Sequence, residues 1–145
     1  MLSTDKIKNL LSHGENKQVE FKKCTDKVSA SVYETVCSFL NAEGGYIFLG
    51  VDDDGTILGI NPKCVTDMTK SIINTLNNPE QFLPPMPITP EQTEIDGKII
   101  LYLNVPESEQ VHRYKNRFYD RWGDADNDVS KHTQPGHELR PGVDV

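Results

Sequence analysis

NAEGGYIFLGVDDDGTILGI, residues 41 to 60, places a helix stop, a buried strand and a turn in one short run. Gly44-Gly45 follows a helical pattern and supplies the left-handed residue that a helix C-cap favours. YIFLGV is apolar at successive positions, so both of its faces meet a core and it belongs in the middle of a sheet. Asp54-Gly55 then reads as a hairpin turn into TILGI.

The same reading extends upstream. From Asp26 to Ala42 the apolar residues Val28, Val32, Tyr33, Val36, Cys37, Phe39 and Leu40 recur at spacings of three and four, which requires an amphipathic helix. Before it, alternation from Gln18 to Lys22 sends Val19 and Phe21 one way and Gln18, Glu20 and Lys22 the other, predicting a half-buried strand with a polar working face. Ser3, Thr4 and Asp5 are caps for a first short helix through Ile7, Leu10 and Leu11 that ends near His13-Gly14.

Downstream, Val65, Met68, Ile72, Ile73 and Leu76 outline a third helix that stops at Asn77-Asn78-Pro79. The proline-rich stretch FLPPMPITP (82–90) must run extended or irregular. Asp96-Gly97 joins a short strand through Thr93 to IILYLNV (99–105), and RFYDRW (117–122) is the last strand signal. Beyond Gly123 the chain is polar and reads as a tail. The expectation is an α+β domain over residues 1–123, with a mixed sheet of about six strands and helices packed on it, followed by a polar tail over 124–145.

The 145 residues suit one domain. With 36% hydrophobic and 26% charged residues, and no window of about 18 apolar residues, no membrane span is expected. The first residues lack a secretory pattern, so the cytoplasm is the expected location. Cys24, Cys37 and Cys64 lack metal-finger or disulfide spacing and read as buried thiols. A net charge of −7 excludes a chain that coats nucleic acid everywhere, yet its distribution is uneven. Arg113, Lys115, Arg117 and Arg121 face one acid, Asp120, in a short run, so a basic face on an acidic body is expected.

Three features together resemble the Schlafen-type AlbA-like domain: Glu15 followed five residues later by Glu20 in VEFK, the stretch from Asn41 to Ile60, and YKNRFYDRWG ending at Gly123. The resemblance covers roughly residues 14 to 123. It implies a single α+β lobe that associates with nucleic acid, and in some Schlafen proteins a ribonuclease site of three carboxylates. Two of these match Glu15 and Glu20; the third falls on Asp52 or Asp53. The zinc-binding cysteine and histidine cluster of animal Schlafens has no counterpart, and one lobe is half of their clamp, which leaves a homodimer as an expectation.

Residue chemistry gives an independent argument. Glu20 and Lys22 share a strand face, and Asp52 ends a neighbouring strand, so an acidic cluster with one cation at a sheet edge is geometrically reasonable. Carboxylate oxygens suit Mg²⁺ or Mn²⁺ as a cofactor that activates water and neutralises charge on a phosphodiester, with Lys22 adding electrostatic stabilisation. The plain alternative is that Glu15 and Glu20 are solvated and that Asp52 to Asp54 decorate a turn. In RFYDRW, alternation groups Arg117, Tyr119 and Arg121 against Phe118, Asp120 and Trp122; an arginine beside an aromatic suits stacking and phosphate contact. Its alternative is an ordinary strand with a core face and a charged solvent face. His112 is a candidate acid or base, whereas His132 and His137 fall in the expected tail.

Three functions follow. The leading one is a divalent-metal-dependent endoribonuclease acting on structured, tRNA-like RNA. The second is a non-catalytic regulatory module that binds DNA or RNA through Arg113, Lys115, Arg117, Tyr119 and Arg121. The third, an ATP-binding module, rests on the Gly44-Gly45 pair acting as a backbone nest; no P-loop lysine or EF-hand spacing accompanies it.

Overall fold

Helix α1 (Thr4–Ser12) starts where the hydroxyl of Ser3 accepts a hydrogen bond from the amide of Lys6, and it buries Ile7 and Leu11. The computed structural model that shows this describes residues 1–130 and the strand backbone of 138–140 and 143–144. Strand β1 (Val19–Lys22) leads to α2 (Ala30–Leu40), most of whose residues are buried. Helix α2 starts later than its apolar pattern suggests, so Asp26 to Ser29 remain outside it. Gly44 ends the turn after α2 with φ +76° and donates its amide to the carbonyl of Phe39. It thereby fills the left-handed position the sequence assigned it.

Strand β2 (Gly45–Leu49) is central, as its composition requires. It pairs in parallel with β1 and antiparallel with β5 (Lys98–Val105), which pairs in turn with β4 (Glu91–Ile95). Its side chains divide between two cores. Ile47 and Leu49 join α2 and α3 (Val65–Leu76), while Phe48 joins Ile7, Leu11 and Phe21 on the α1 side. At the β4–β5 turn, Asp96 and Gly97 both have positive φ, 53° and 79°, the type I′ geometry that an Asp-Gly pair favours.

A second four-stranded sheet runs in the order β3 (Phe82–Leu83), β6 (Arg113–Tyr114), β7 (Arg117–Trp122), β8 (Ala125–Asp128). Helix α2 lies between the sheets, touching β6, β7 and β8 on one side and β2 and β5 on the other. Buried Asn41, at the end of α2, ties the layers together. Its side chain donates to the carbonyls of His112 (2.8 Å) and Tyr119 (2.9 Å) and accepts from the amide of His112 (2.7 Å). A further antiparallel pair joins β9 (Glu138–Arg140) and β10 (Val143–Asp144).

The α+β class holds, but the strands are arranged as two sheets rather than one. TILGI contributes only an isolated bridge, Val51 to Ile57, because Gly50 and Gly59 break the chain away with φ near +85° to +88°. The polar stretch after Gly123 also departs from the expected tail. Residues 125–128 form β8, and Val129 is buried. Strand β8 is polar because the groups it buries are hydrogen-bonded rather than apolar, which a hydrophobicity pattern cannot register. His132 and His137 lie outside the described residues. Cys37 is buried as expected, whereas Cys24 and Cys64 are partly exposed. Among the described residues no helix is long and apolar enough to cross a membrane.

Candidate nucleic-acid site

Alternation along β1 turns Val19 and Phe21 into the α1-side core and Glu20 toward the second sheet. There Glu20 meets Arg121 of β7. Its Oε1 accepts from Arg121 Nη1 at 3.1 Å, and the same nitrogen donates to Asp126 Oδ1 at 2.8 Å. Arg121 also donates through Nε to the carbonyl of Lys17 and through Nη2 to that of Asn16, and its guanidinium lies 4.7 Å from the ring centroid of Phe39. Thr35 and Ser38 of α2 donate their hydroxyls to Asp126. The arginine thus links β1, β7, β8 and α2 from a fully buried position.

Glu15, in the turn before β1, accepts the amide of Phe21 at 3.1 Å, which brings its carboxyl beside Glu20. Burial and a hydrogen bond with Glu15 push the Glu20 carboxyl up to about 8; Lys22 and Arg121 pull the other way. The single charge of Arg121 is divided between Glu20 and Asp126, so it does not offset the loss of water around Glu20.

A cavity of about 610 Å³ opens beside this pair and is lined by Glu15, Glu20, Lys22 and Asp53 among others. Of Asp52 and Asp53, it is Asp53 that lines the cavity, together with Glu15, Glu20 and Asp26. Asp52 Oδ1 accepts the amide of Asp53 and lies 3.5 Å from Nζ of Lys23, a lining residue, without lining the cavity itself. The structure therefore brings together Glu15, Glu20, Asp53 and Lys22 and leaves Asp52 aside. The oxygen donors have the right chemistry for Mg²⁺ or Mn²⁺. As placed, however, they do not fit an ion: among the described residues no three His, Cys, Asp or Glu side chains gather closely enough to hold one.

The expected basic face loses Arg121. On that row of β7 Arg117 stays exposed, Tyr119 packs against the main core and Arg121 is buried. Trp122, on the other row, is 56% exposed, and its indole donates to Asp120. Arg117 is bound to Asp128 at 2.7 Å, and Lys115 lies over the ring of Tyr114. Arg113 lines a separate cavity with Pro84 and Phe118. Burial of Arg121 removes it from any phosphate-binding set; alternation alone could not reveal this, because it does not say which row faces the neighbouring layer.

His112 is likewise a structural group. Its Nδ1 donates to the carbonyl of Pro84 and its Nε2 accepts from Ser108, both at 2.8 Å, and the residue is buried. The glycine pair has no room for a phosphate. A Cβ on Gly44 would meet the carbonyl of Val105 at 2.5 Å, and one on Gly45 that of Gln18 at 2.5 Å. Close backbone packing accounts for both residues, and the ATP reading loses its support.

The sequence reading missed Asp126, whose partners Thr35 and Ser38 are small polar residues on an otherwise apolar helix face. That pattern is the available signal of a buried acid. It also missed Lys27, Thr25, Ser29 and Ser31 on the cavity, although the lysine-rich run FKKCTDK announces a charged loop.

Residues 15–130 match the family model described as Schlafen, AlbA_2. No curated protein matches the chain. Among solved structures, a crystal structure of the DIP2311 protein from Corynebacterium diphtheriae superposes with a TM-score of 0.58 at 15% identity over 78% of this chain, which spans only 25% of that one. The solution structure of the N-terminal domain of a protein from Nitrosomonas europaea, named as related to the ATP-dependent DNA helicase RecG, gives a TM-score of 0.55 at 26% identity and covers 74% of each chain. The first likeness concerns the fold alone.

Proposed function

Because the chain belongs to the Schlafen AlbA_2 family, we propose that it binds nucleic acid at the cavity of Glu15, Glu20 and Asp53 and cuts structured, tRNA-like RNA there. One observation carries the reading. Glu15 in the turn before β1, Glu20 on β1 and Asp53 after β2 line one cavity with Lys22. A surface decorated with solvated acids has no reason to converge in this way.

Glu15, Glu20 and Asp53 are the residues proposed to take up a divalent cation, which would supply Lewis-acid chemistry to a phosphodiester. Their present spacing does not fit the ion, so no catalytic step is derived through it. Lys22 would stabilise charge that develops on the phosphate. The N-terminal domain of the RecG-related protein is consistent with work on nucleic acid in this fold.

A second reading, a non-catalytic DNA- or RNA-binding module, is favoured by the Arg121–Glu20 ion pair, which gives Glu20 a structural occupation. Incubation with a mixed tRNA pool in Mn²⁺ or Mg²⁺, with EDTA and Asp53→Asn alongside, separates the two. Discrete fragments that vanish in both controls support cleavage. RNA that stays intact but shifts on a native gel, with or without EDTA, supports the binding module, and no shift at all rejects both. Homodimer formation is a separate proposal, tested by light scattering with and without RNA.

A further inference from the structure

Three of the four acids on the cavity are already engaged, and Asp53 is the fourth. Glu20 meets Arg121 and Glu15, Glu15 holds the amide of Phe21, and Asp26 accepts from the side chain of Asn61. The cations differ. Lys23 pairs with Asp52, but among the described residues neither Lys22 nor Lys27 has a carboxylate within 4.0 Å. Glu20 and Glu34 feel the charge of Lys22 without forming such a pair.

Three hydroxyls line the same cavity, those of Thr25, Ser29 and Ser31. Ser29 precedes α2 without capping it through its side chain; its Oγ lies 2.9 Å from that of Ser31. Two ammonium groups without a carboxylate partner, Lys22 half-buried and Lys27 exposed, together with hydroxyl donors in one concave space are the chemistry that recognises a phosphate.

We propose that Lys22 and Lys27, with the hydroxyls of Thr25, Ser29 and Ser31, form a phosphate-binding site in this cavity that needs no metal ion. It takes a backbone phosphate of the nucleic acid and sets that phosphate against Glu15 and Asp53. The identity of the phosphate's carrier rests on the function proposed above; the site itself does not.

The test is an amide NMR titration of the full chain in EDTA, with inorganic phosphate in one arm, a short single-stranded RNA in a second, and sodium chloride of equal ionic strength as the blank. Saturable shifts centred on residues 22–31 are expected with phosphate. They should disappear in Lys22→Ala/Lys27→Ala and persist in Lys6→Ala/Lys8→Ala, and RNA should bind the first variant about tenfold more weakly. Shifts that are absent, spread equally over all lysine-bearing segments, or unchanged in Lys22→Ala/Lys27→Ala overturn the site. If the double variant fails to fold, Lys27→Ala alone carries the test. Phosphate bound at these residues without any RNA binding keeps the site and rejects the nucleic-acid reading. RNA bound and cut equally well by the double variant keeps that reading and rejects the site.

Discussion

Arg121 Nη1 lies 3.1 Å from Glu20 Oε1 across the gap between the two sheets, and the same nitrogen reaches Asp126 at 2.8 Å. One buried cation therefore holds a residue of the candidate site and a residue of β8 at once.

Replacing that cation leaves the carboxylate of Asp126 without a counter-charge beside Glu20. Arg121→Met should destabilise the chain by roughly 3–5 kcal/mol, the range for breaking a buried ion pair. Glu20→Gln should cost distinctly less, because an amide can still accept from the guanidinium and Asp126 keeps its partner. Denaturant midpoints of the two variants check the order; equal losses would show that the arginine acts through Glu20 alone and not through Asp126.

The raised Glu20 carboxyl makes stability depend on pH in a definite direction. Its ordinary value is near 4.5 and its folded value about 8, so between those limits the folded chain holds a proton that the unfolded chain has released. Stability contributed by this group is complete at acid pH and falls as pH rises from about 5 to 8. Urea unfolding in EDTA across that window should show the decline in the wild type and a flatter profile in Glu20→Gln. A parallel decline in both would assign it to other groups.

Asp52 and Asp53 give a direct contrast within one turn. Asp53→Asn should lower RNA cleavage by at least about a hundredfold if the cavity is the reacting site, since it removes one of the carboxylates proposed to take up the cation. Asp52→Asn should keep most of the activity because its side chain serves the turn and Lys23. Initial rates on one RNA decide this, and the reverse ranking would move the site out of the cavity.

The chain boundary is testable by truncation. A chain ending at Gly123 loses β8, Asp126 and the buried Val129, and leaves Arg121, Thr35 and Ser38 without their shared acceptor. It should fail to fold cooperatively, whereas one ending at Ser130 should unfold in a single transition. Circular dichroism during heating distinguishes them.

Gly45 tests the packing account of the glycine pair. A Cβ there would meet the carbonyl oxygen of Gln18 at 2.5 Å and the ring of Phe39 at 2.8 Å, so Gly45→Ala should destabilise by roughly 1–3 kcal/mol. The midpoint of unfolding measures it. A neutral effect would reopen the question of why glycine stands at that position.

Periodicity and turn chemistry by themselves determined the three helices, the central place of β2, the Gly44 stop and the Asp96-Gly97 hairpin. All of these are local: a 3.6-residue apolar stripe, a strand apolar on both faces, and residues that tolerate positive φ act over a few positions. The resemblance likewise pointed to Glu15 and Glu20 as candidates, with Asp52 or Asp53 as the third carboxylate.

Tertiary structure decided that Arg121 of β7 is buried, which aspartate lines the cavity, and that a polar stretch ending at Asp128 is an edge strand of the second sheet. The physical reason is common to all three. Arg121, Asp126, Thr35 and Ser38 are buried because they satisfy one another across elements distant in sequence, and a polar group's partner is invisible until the layers are assembled.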